Sequence, residues 1–233
     1  MTRAAPPPAP PQRTPPAYPP SWFDPACRRC PRLAGFLSEV AAAHPGYHAA
    51  PVPPFGPADA DLLIVGLAPG LHGANRTGRP FTGDYAGELL YATLHELGLG
   101  SRPAAVAADD GLELRGCRIS NAVKCVPPAN KPVGAEVAAC SAFLGAELAD
   151  HPPGGVVLAL GQIAHRAVIR CEGLRQAAHP FGHARVWPLP RGRWLIDSYH
   201  CSRYNTQTGR LSPGMFRAVF RQALELRARS TDV

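Results

Sequence analysis

Gly66-Leu67-Ala68-Pro69-Gly70-Leu71-His72-Gly73-Ala74-Asn75-Arg76-Thr77-Gly78-Arg79-Pro80-Phe81-Thr82-Gly83-Asp84-Tyr85-Ala86-Gly87 is a glycine-punctuated stretch lying between a strand and a helix. Before it, Asp61-Leu62-Leu63-Ile64-Val65 is a short apolar, partly β-branched run with the pattern of a buried strand. After it, Glu88-Leu89-Leu90-Tyr91-Ala92-Thr93-Leu94-His95-Glu96-Leu97 carries the apolar spacing of a helix. In open α/β sheets the ligand crevice lies at that end of the strands. Glycines at 66, 70, 73, 78, 83 and 87 allow backbone positions that a Cβ would block. Asp84 stands just before the helix and close to Phe81. It is either an ordinary N-cap or a carboxylate at the crevice, and spacing alone leaves both open. The loop is neither G-x-G-x-x-G nor a Walker loop, which argues against a nucleotide cofactor.

Outward from this loop, strands alternate with helices. A helix is expected from Pro31 to Val40, and the first strand at about 61–66. The second strand is expected at 117–124, where Pro127 and Pro128 end the segment. A helix over about 133–149 and an apolar third strand at 154–161 come next. They lead to a helix at about 162–170, a loop at 179–190 with at most a short edge strand, and a fourth strand at 193–200. The last helix covers about 213–229, with Pro213 at its first turn. This alternation predicts a three-layer α/β/α sandwich around a central, mainly parallel four-stranded sheet. In that layout Asp84, Asn121 and His200 reach one rim from three strand ends.

The chain has 233 residues, enough for one domain with a full core, and 45% of them are hydrophobic. Lys and Arg number 24 against 17 Asp and Glu, a formal charge of +7 that favours a polyanionic partner. Residues 1–20 hold nine prolines and no hydrophobic core, so they are expected to form a disordered tail, with a single domain over 21–233. They do not resemble a signal peptide, and no apolar run reaches the length of a membrane span. The expectation is a cytoplasmic protein without a membrane partner, its seven cysteines in a reducing compartment.

Cys27-x2-Cys30 lies far upstream of Cys125-x14-Cys140. Four thiolates can close a tetrahedral metal site or hold a cubane cluster. A zinc ribbon would offer two tight knuckles, whereas here the second pair is split, so spacing leans toward iron–sulfur. Cys117 and Cys171 fit core thiols. Cys201 follows His200 directly, but no base partner for a nucleophile is evident.

Gly66-Leu67-Ala68-Pro69-Gly70 with Asn75-Arg76-Thr77-Gly78-Arg79-Pro80-Phe81-Thr82-Gly83-Asp84 closely resembles the first motif of the uracil-DNA glycosylase superfamily. Asn121 to Pro132 looks like the family's segment through its third cluster cysteine, and His200-Cys201-Ser202-Arg203-Tyr204-Asn205 like its last motif. The cysteine pattern also matches the branch that carries a [4Fe-4S] cluster. Within the superfamily the chain is most similar to family 5, the B-type enzymes. Family 4 enzymes have a carboxylate at the position of Leu67, which is apolar here. Cys201 departs from the pattern, since proline is common after the motif histidine.

The resemblance implies a DNA glycosylase, expected as a monomer in a bacterial or archaeal cytosol. It would act on uracil, hypoxanthine and xanthine in double- and single-stranded DNA. It implies Asp84, Asn121 and His200 as catalytic groups, and Phe81, Asn121, Gly66, Ala68 and Gly70 as the base pocket. Arg203 and Tyr204 would wedge into the duplex where the base left. Arg79, Lys124, Ser202 and Asn205 complete the candidate DNA contacts, and Cys27, Cys30, Cys125 and Cys140 would hold the [4Fe-4S] cluster. The competing readings are a non-catalytic binder of damaged or single-stranded DNA, and a structural zinc protein.

Overall fold

The computed structural model describes residues 18–231. Five strands form one sheet: β1 (Leu62–Gly66), β2 (Cys117–Asn121), β3 (Val156–Leu160), β4 (Val186–Pro188) and β5 (Trp194–Ser198), in the order β2-β1-β3-β5-β4. The first four in that order run parallel, with Leu62 beside both Cys117 and Val156, and Val156 beside Trp194. β4 pairs antiparallel with β5, Trp187 opposite Leu195. The sheet therefore has one strand more than the four expected. Three residues ending in a proline that can donate no ladder bond are too short to register as a strand in sequence.

Side-chain alternation along the strands divides the core between two faces. Leu62, Ile64, Ile119, Leu158 and Ile196 point to one side, against α3 (Tyr85–Glu96) and α7 (Pro213–Thr231) through Leu90, Leu94, Phe216 and Phe220. Leu63, Val65, Val157, Ala159 and Leu195 point to the other, against α4 (Gly134–Ala149) and α5 (Gln162–Cys171) through Leu144, Leu148, Val168 and Ile169. Burial on both faces explains why β1 and β3 read as unbroken apolar runs. This is the three-layer α/β/α arrangement. α1 (Pro31–Ala43) adds a third cluster, packing Leu33 and Leu37 on Val123, Val126, Cys140 and Phe143. No helix among the described residues is long and apolar enough to cross a membrane.

The expected tail at 1–20 lies mostly outside the described residues. Its last part is corrected: Tyr18 donates from its hydroxyl to the Gly56 carbonyl at 2.7 Å and stacks near Trp22. Two short helices, α2 (Ala74–Thr77) and α6 (Arg203–Gln207), stand in segments expected to be loop. Each is about one turn, below the length at which periodicity is visible.

Candidate active site

The carboxyl ends of β2, β1, β3 and β5 line up in that order, and the polar rim is built across all four. Gly66 closes β1. A Cβ there would stand 2.7 Å from two carbons of the Phe81 ring and would strike Asn121 Oδ1. The absence of a side chain at Gly66 is what lets the ring and the amide meet above the strand end. Asn121, at the end of β2, is 2% exposed, and its Oδ1 is buried without a partner. A buried acceptor left open in this way is costly unless a ligand completes it.

Phe81 has φ +54, a left-handed backbone unusual for an aromatic residue. Its carbonyl occupies the space a Cβ on Gly87 would need, so Gly87 is required by the turn. The Phe81 ring stacks on the His200 imidazole at 5.9 Å between centroids, with planes 29° apart. His200 follows β5 and reaches the rim past Gly161, the residue after β3, whose own Cβ would lie 3.3 Å from that of His200. Sequence reasoning missed Gly161; its signal was a glycine opening a helix directly after an apolar strand. Although His200 is partly exposed, the protein atoms crowded around it disfavour the cation and push its pKa down to about 4. It is a neutral imidazole at pH 7.

Asp84 is the N-cap of α3: its Oδ1 accepts the Gly87 amide at 3.0 Å. Oδ2 lies over Gly70 and Gly73, close enough that a Cβ on Gly70 would be 3.2 Å away. Both sequence readings of Asp84 therefore hold geometrically, since one oxygen caps the helix and the other faces the glycine loop. Burial raises its pKa above the ordinary carboxylate value, partly offset by the Gly87 and Ala86 amides.

Two of the expected DNA contacts are corrected. Arg79 is 3% exposed and forms a bidentate pair with Asp110, at 2.9 and 2.6 Å. Lys124 is 2% exposed and pairs with Glu147 Oε1 at 2.5 Å beside Ser120. Buried charges need fixed partners, and neither side chain is free to meet a phosphate. Asn205 is turned inward, its side-chain amide donating to the His200 carbonyl at 2.8 Å. Ser202 caps α6, accepting the Asn205 amide at 3.4 Å. Arg203 and Tyr204 are exposed on α6, Tyr204 at 71%, with the Arg203 guanidinium 5.2 Å from the Tyr85 ring centroid. Cys201 is fully buried, and burial pushes its thiol far up, so it is a core group and not a nucleophile.

Cys27, Cys30, Cys125 and Cys140 line one cavity, together with Leu33, Val123 and Phe143. Burial, aided by the other three sulfurs, pushes Cys125 up to about 12. Cys140 also accepts the Lys124 backbone amide at 3.3 Å. Ala68 and Leu71, from the glycine loop, pack on the apolar cluster that contains Cys125 and Cys140.

The family model described as the uracil DNA glycosylase superfamily matches residues 53–224. A type-5 uracil-DNA glycosylase of Thermus thermophilus is 50% identical over 206 residues, covering 86% of this chain and 94% of the relative. One of Mycobacterium bovis is 44% identical, covering 86% of this chain and 78% of the relative. One of Pyrobaculum aerophilum is 42% identical, covering 88% and 93%. Matches of this extent and identity, over the segments that build the rim, mean that the chain belongs to the uracil-DNA glycosylase superfamily and to its type-5 branch.

Proposed function

We propose that the chain, as one catalytic domain over residues 21–233, removes uracil, hypoxanthine and xanthine from DNA. It extrudes the nucleotide and hydrolyses the N-glycosidic bond, which initiates base excision repair. The observation that carries this reading is the open Asn121 Oδ1, buried beside the Phe81 ring with His200 stacked on that ring. An extruded base stacked on Phe81 would present its N–H to Asn121 Oδ1 and a neighbouring carbonyl to the amide NH2. Uracil, hypoxanthine and xanthine present that N–H beside C=O, as thymine and guanine do, whereas cytosine and adenine, the parents of uracil and hypoxanthine, lack it. Extrusion costs a few kcal/mol, least where pairing is already weak. Stacking on Phe81 returns roughly 1–3 kcal/mol.

As the glycosidic bond breaks, negative charge grows on the base and positive charge on the sugar. His200, neutral at pH 7, keeps one ring N–H that can donate to the base carbonyl and stabilise the anion. Asp84 has one oxygen engaged by the helix amide and the other available to orient a water or face the cationic sugar. Its raised pKa makes it a stronger base than a solvated aspartate. Leu67, apolar and at the same loop, takes no part in activating water. Arg203 and exposed Tyr204 would fill the vacated stack, with the +7 charge drawing the protein to DNA, as duplex or single strand. The protein would act as a monomer in the cytoplasm.

Cys27, Cys30, Cys125 and Cys140 suit a [4Fe-4S] cluster. The four sulfurs surround a common cavity lined also by Leu33, Val123 and Phe143, a donor set of the kind that holds a cubane cluster. The cluster would supply an internal cross-link and needs no part in the hydrolysis. The decisive experiment is a set of duplex and single-stranded oligonucleotides carrying uracil, hypoxanthine, xanthine or cytosine, scored for abasic sites. Abasic product at the first three and none at cytosine is expected. Binding without product at any base would overturn the enzymatic reading.

A further inference from the structure

Asp110 lies outside every segment assigned so far, on the irregular stretch between α3 and β2. Its carboxylate nevertheless accepts from the amides of Val106 at 2.8 Å, Ala107 at 3.3 Å and Leu112 at 2.9 Å, and from both Nη atoms of Arg79. The pair is buried, with the side chains 4% and 9% exposed. The guanidinium lies against the rings of Phe55 and Tyr91, 4.8 and 5.9 Å from their centroids. The remaining nitrogen, Nε, donates to Thr82 Oγ1 at 2.9 Å. The Thr82 hydroxyl and the Tyr91 hydroxyl each donate to the Pro80 carbonyl, at 3.2 and 2.7 Å.

Residues on both sides of Phe81 are thus tied to one cation, and Asp110 fixes where that cation sits. Phe81 itself holds φ +54, which an aromatic residue keeps only where its surroundings over-determine it. A planar, bidentate Arg–carboxylate pair supplies direction as well as attraction. Thr82, the residue after Phe81, and Tyr91 then both carry that direction to the Pro80 carbonyl, in the peptide unit before Phe81.

We infer that Asp110, acting through Arg79, is a positioning residue that holds Phe81 in its left-handed backbone conformation, with the ring aligned for the extruded base. The inference rests on the reading of Phe81 as the stacking residue. It makes the stretch between α3 and β2 part of the base pocket, although no side chain from it touches the base.

The test is a double-mutant cycle with Asp110→Asn and Phe81→Ala, read as single-turnover uracil release well below the melting temperature. Affinity for an abasic duplex is measured in parallel. Asp110→Asn is expected to slow release by about 10²-fold, the usual cost of an ångström of misplacement, with duplex affinity unchanged. The double variant is expected to match Phe81→Ala within about twofold, because a positioning residue has nothing left to position. If the two effects multiply, or if Asp110→Asn is as fast as the wild type, Asp110 serves stability alone and the inference falls. Should Asp110→Asn not fold, Arg79→Lys, which keeps the charge and loses the fork, replaces it in the same cycle with the same criteria. A wild-type chain that releases no uracil overturns the glycosylase reading and this inference together. An active wild type with a fast Asp110→Asn overturns this inference alone.

Discussion

Gly66 lies against the ring of Phe81, and a Cβ on it would stand 2.7 Å from two ring carbons while striking the amide of Asn121. The smallest possible substitution should therefore disturb two pocket groups at once. Gly66→Ala is expected to lower uracil release by at least about 10²-fold. The strand should survive, because its neighbours on both sides still pair with it. Single-turnover assays beside a thermal melt check this, and a Gly66→Ala protein with wild-type turnover would count against the close approach.

Asp84 combines a cap and a candidate catalytic carboxylate in one side chain, and two variants separate them. Asparagine retains a capping oxygen, whereas alanine loses it at a cost of about 0.5–2 kcal/mol. Asp84→Asn is expected to melt close to the wild type and Asp84→Ala lower, with both losing about 10²–10⁴ in rate. Equal activity in Asp84→Asn and the wild type would remove the carboxylate from the chemistry.

His200 should titrate by NMR with a midpoint near 4, remaining neutral through the physiological range. His151, fully buried at the end of α4, is pushed down to about 3 by burial first and by Arg118 and Arg193 second. In the unfolded chain both rings take up protons near pH 6.5, and in the folded chain neither does. The stabilisation from keeping them neutral is complete above about pH 6.5. It is lost progressively as pH falls toward their folded values. Denaturant midpoints measured from pH 7 down to 4 should decline, and His200→Gln should flatten the slope. A His200 midpoint near 6.5 would refute the assignment of a neutral donor held by its surroundings.

Ala68 and Leu71 of the glycine loop pack on the cluster that holds Cys125 and Cys140. Cys140→Ser is accordingly expected to abolish the visible absorption of an iron–sulfur protein, lower the melting temperature and slow uracil release. Full activity in a colourless, metal-free protein would show the two regions to be independent.

Much of the layout was legible because β1 and β3 are buried on both faces and α4 and α7 are long. Asn121 and His200 were legible as residues at or just past the ends of β2 and β5, whereas Asp84 comes in on the loop after β1, at the N-cap of α3. What sequence could not give was the partner of a charge. Arg79 and Lys124 look like free cations, and their carboxylates, Asp110 and Glu147, arrive from 31 and 23 residues further along. Only the folded chain reveals that both pairs are internal. Tyr18 falls within the expected tail for a similar reason, since its acceptor, Gly56, is 38 residues distant. The five-residue helix α6 was missed because a single capping serine, Ser202, is its whole local signal.

The four cysteines around the cavity come from two ends of the fold, Cys27 and Cys30 ahead of the sheet, Cys125 and Cys140 after β2. During synthesis the first pair leaves the ribosome about a hundred residues before the second, and it has no companions until β1, β2 and α4 have come together. On the proposed cluster reading, metal capture would then wait until Cys140 has emerged and α4 has docked, with β3, β5 and α7 still to follow. Nascent chains arrested before Cys140 should carry no iron, however long they wait in an iron-replete extract.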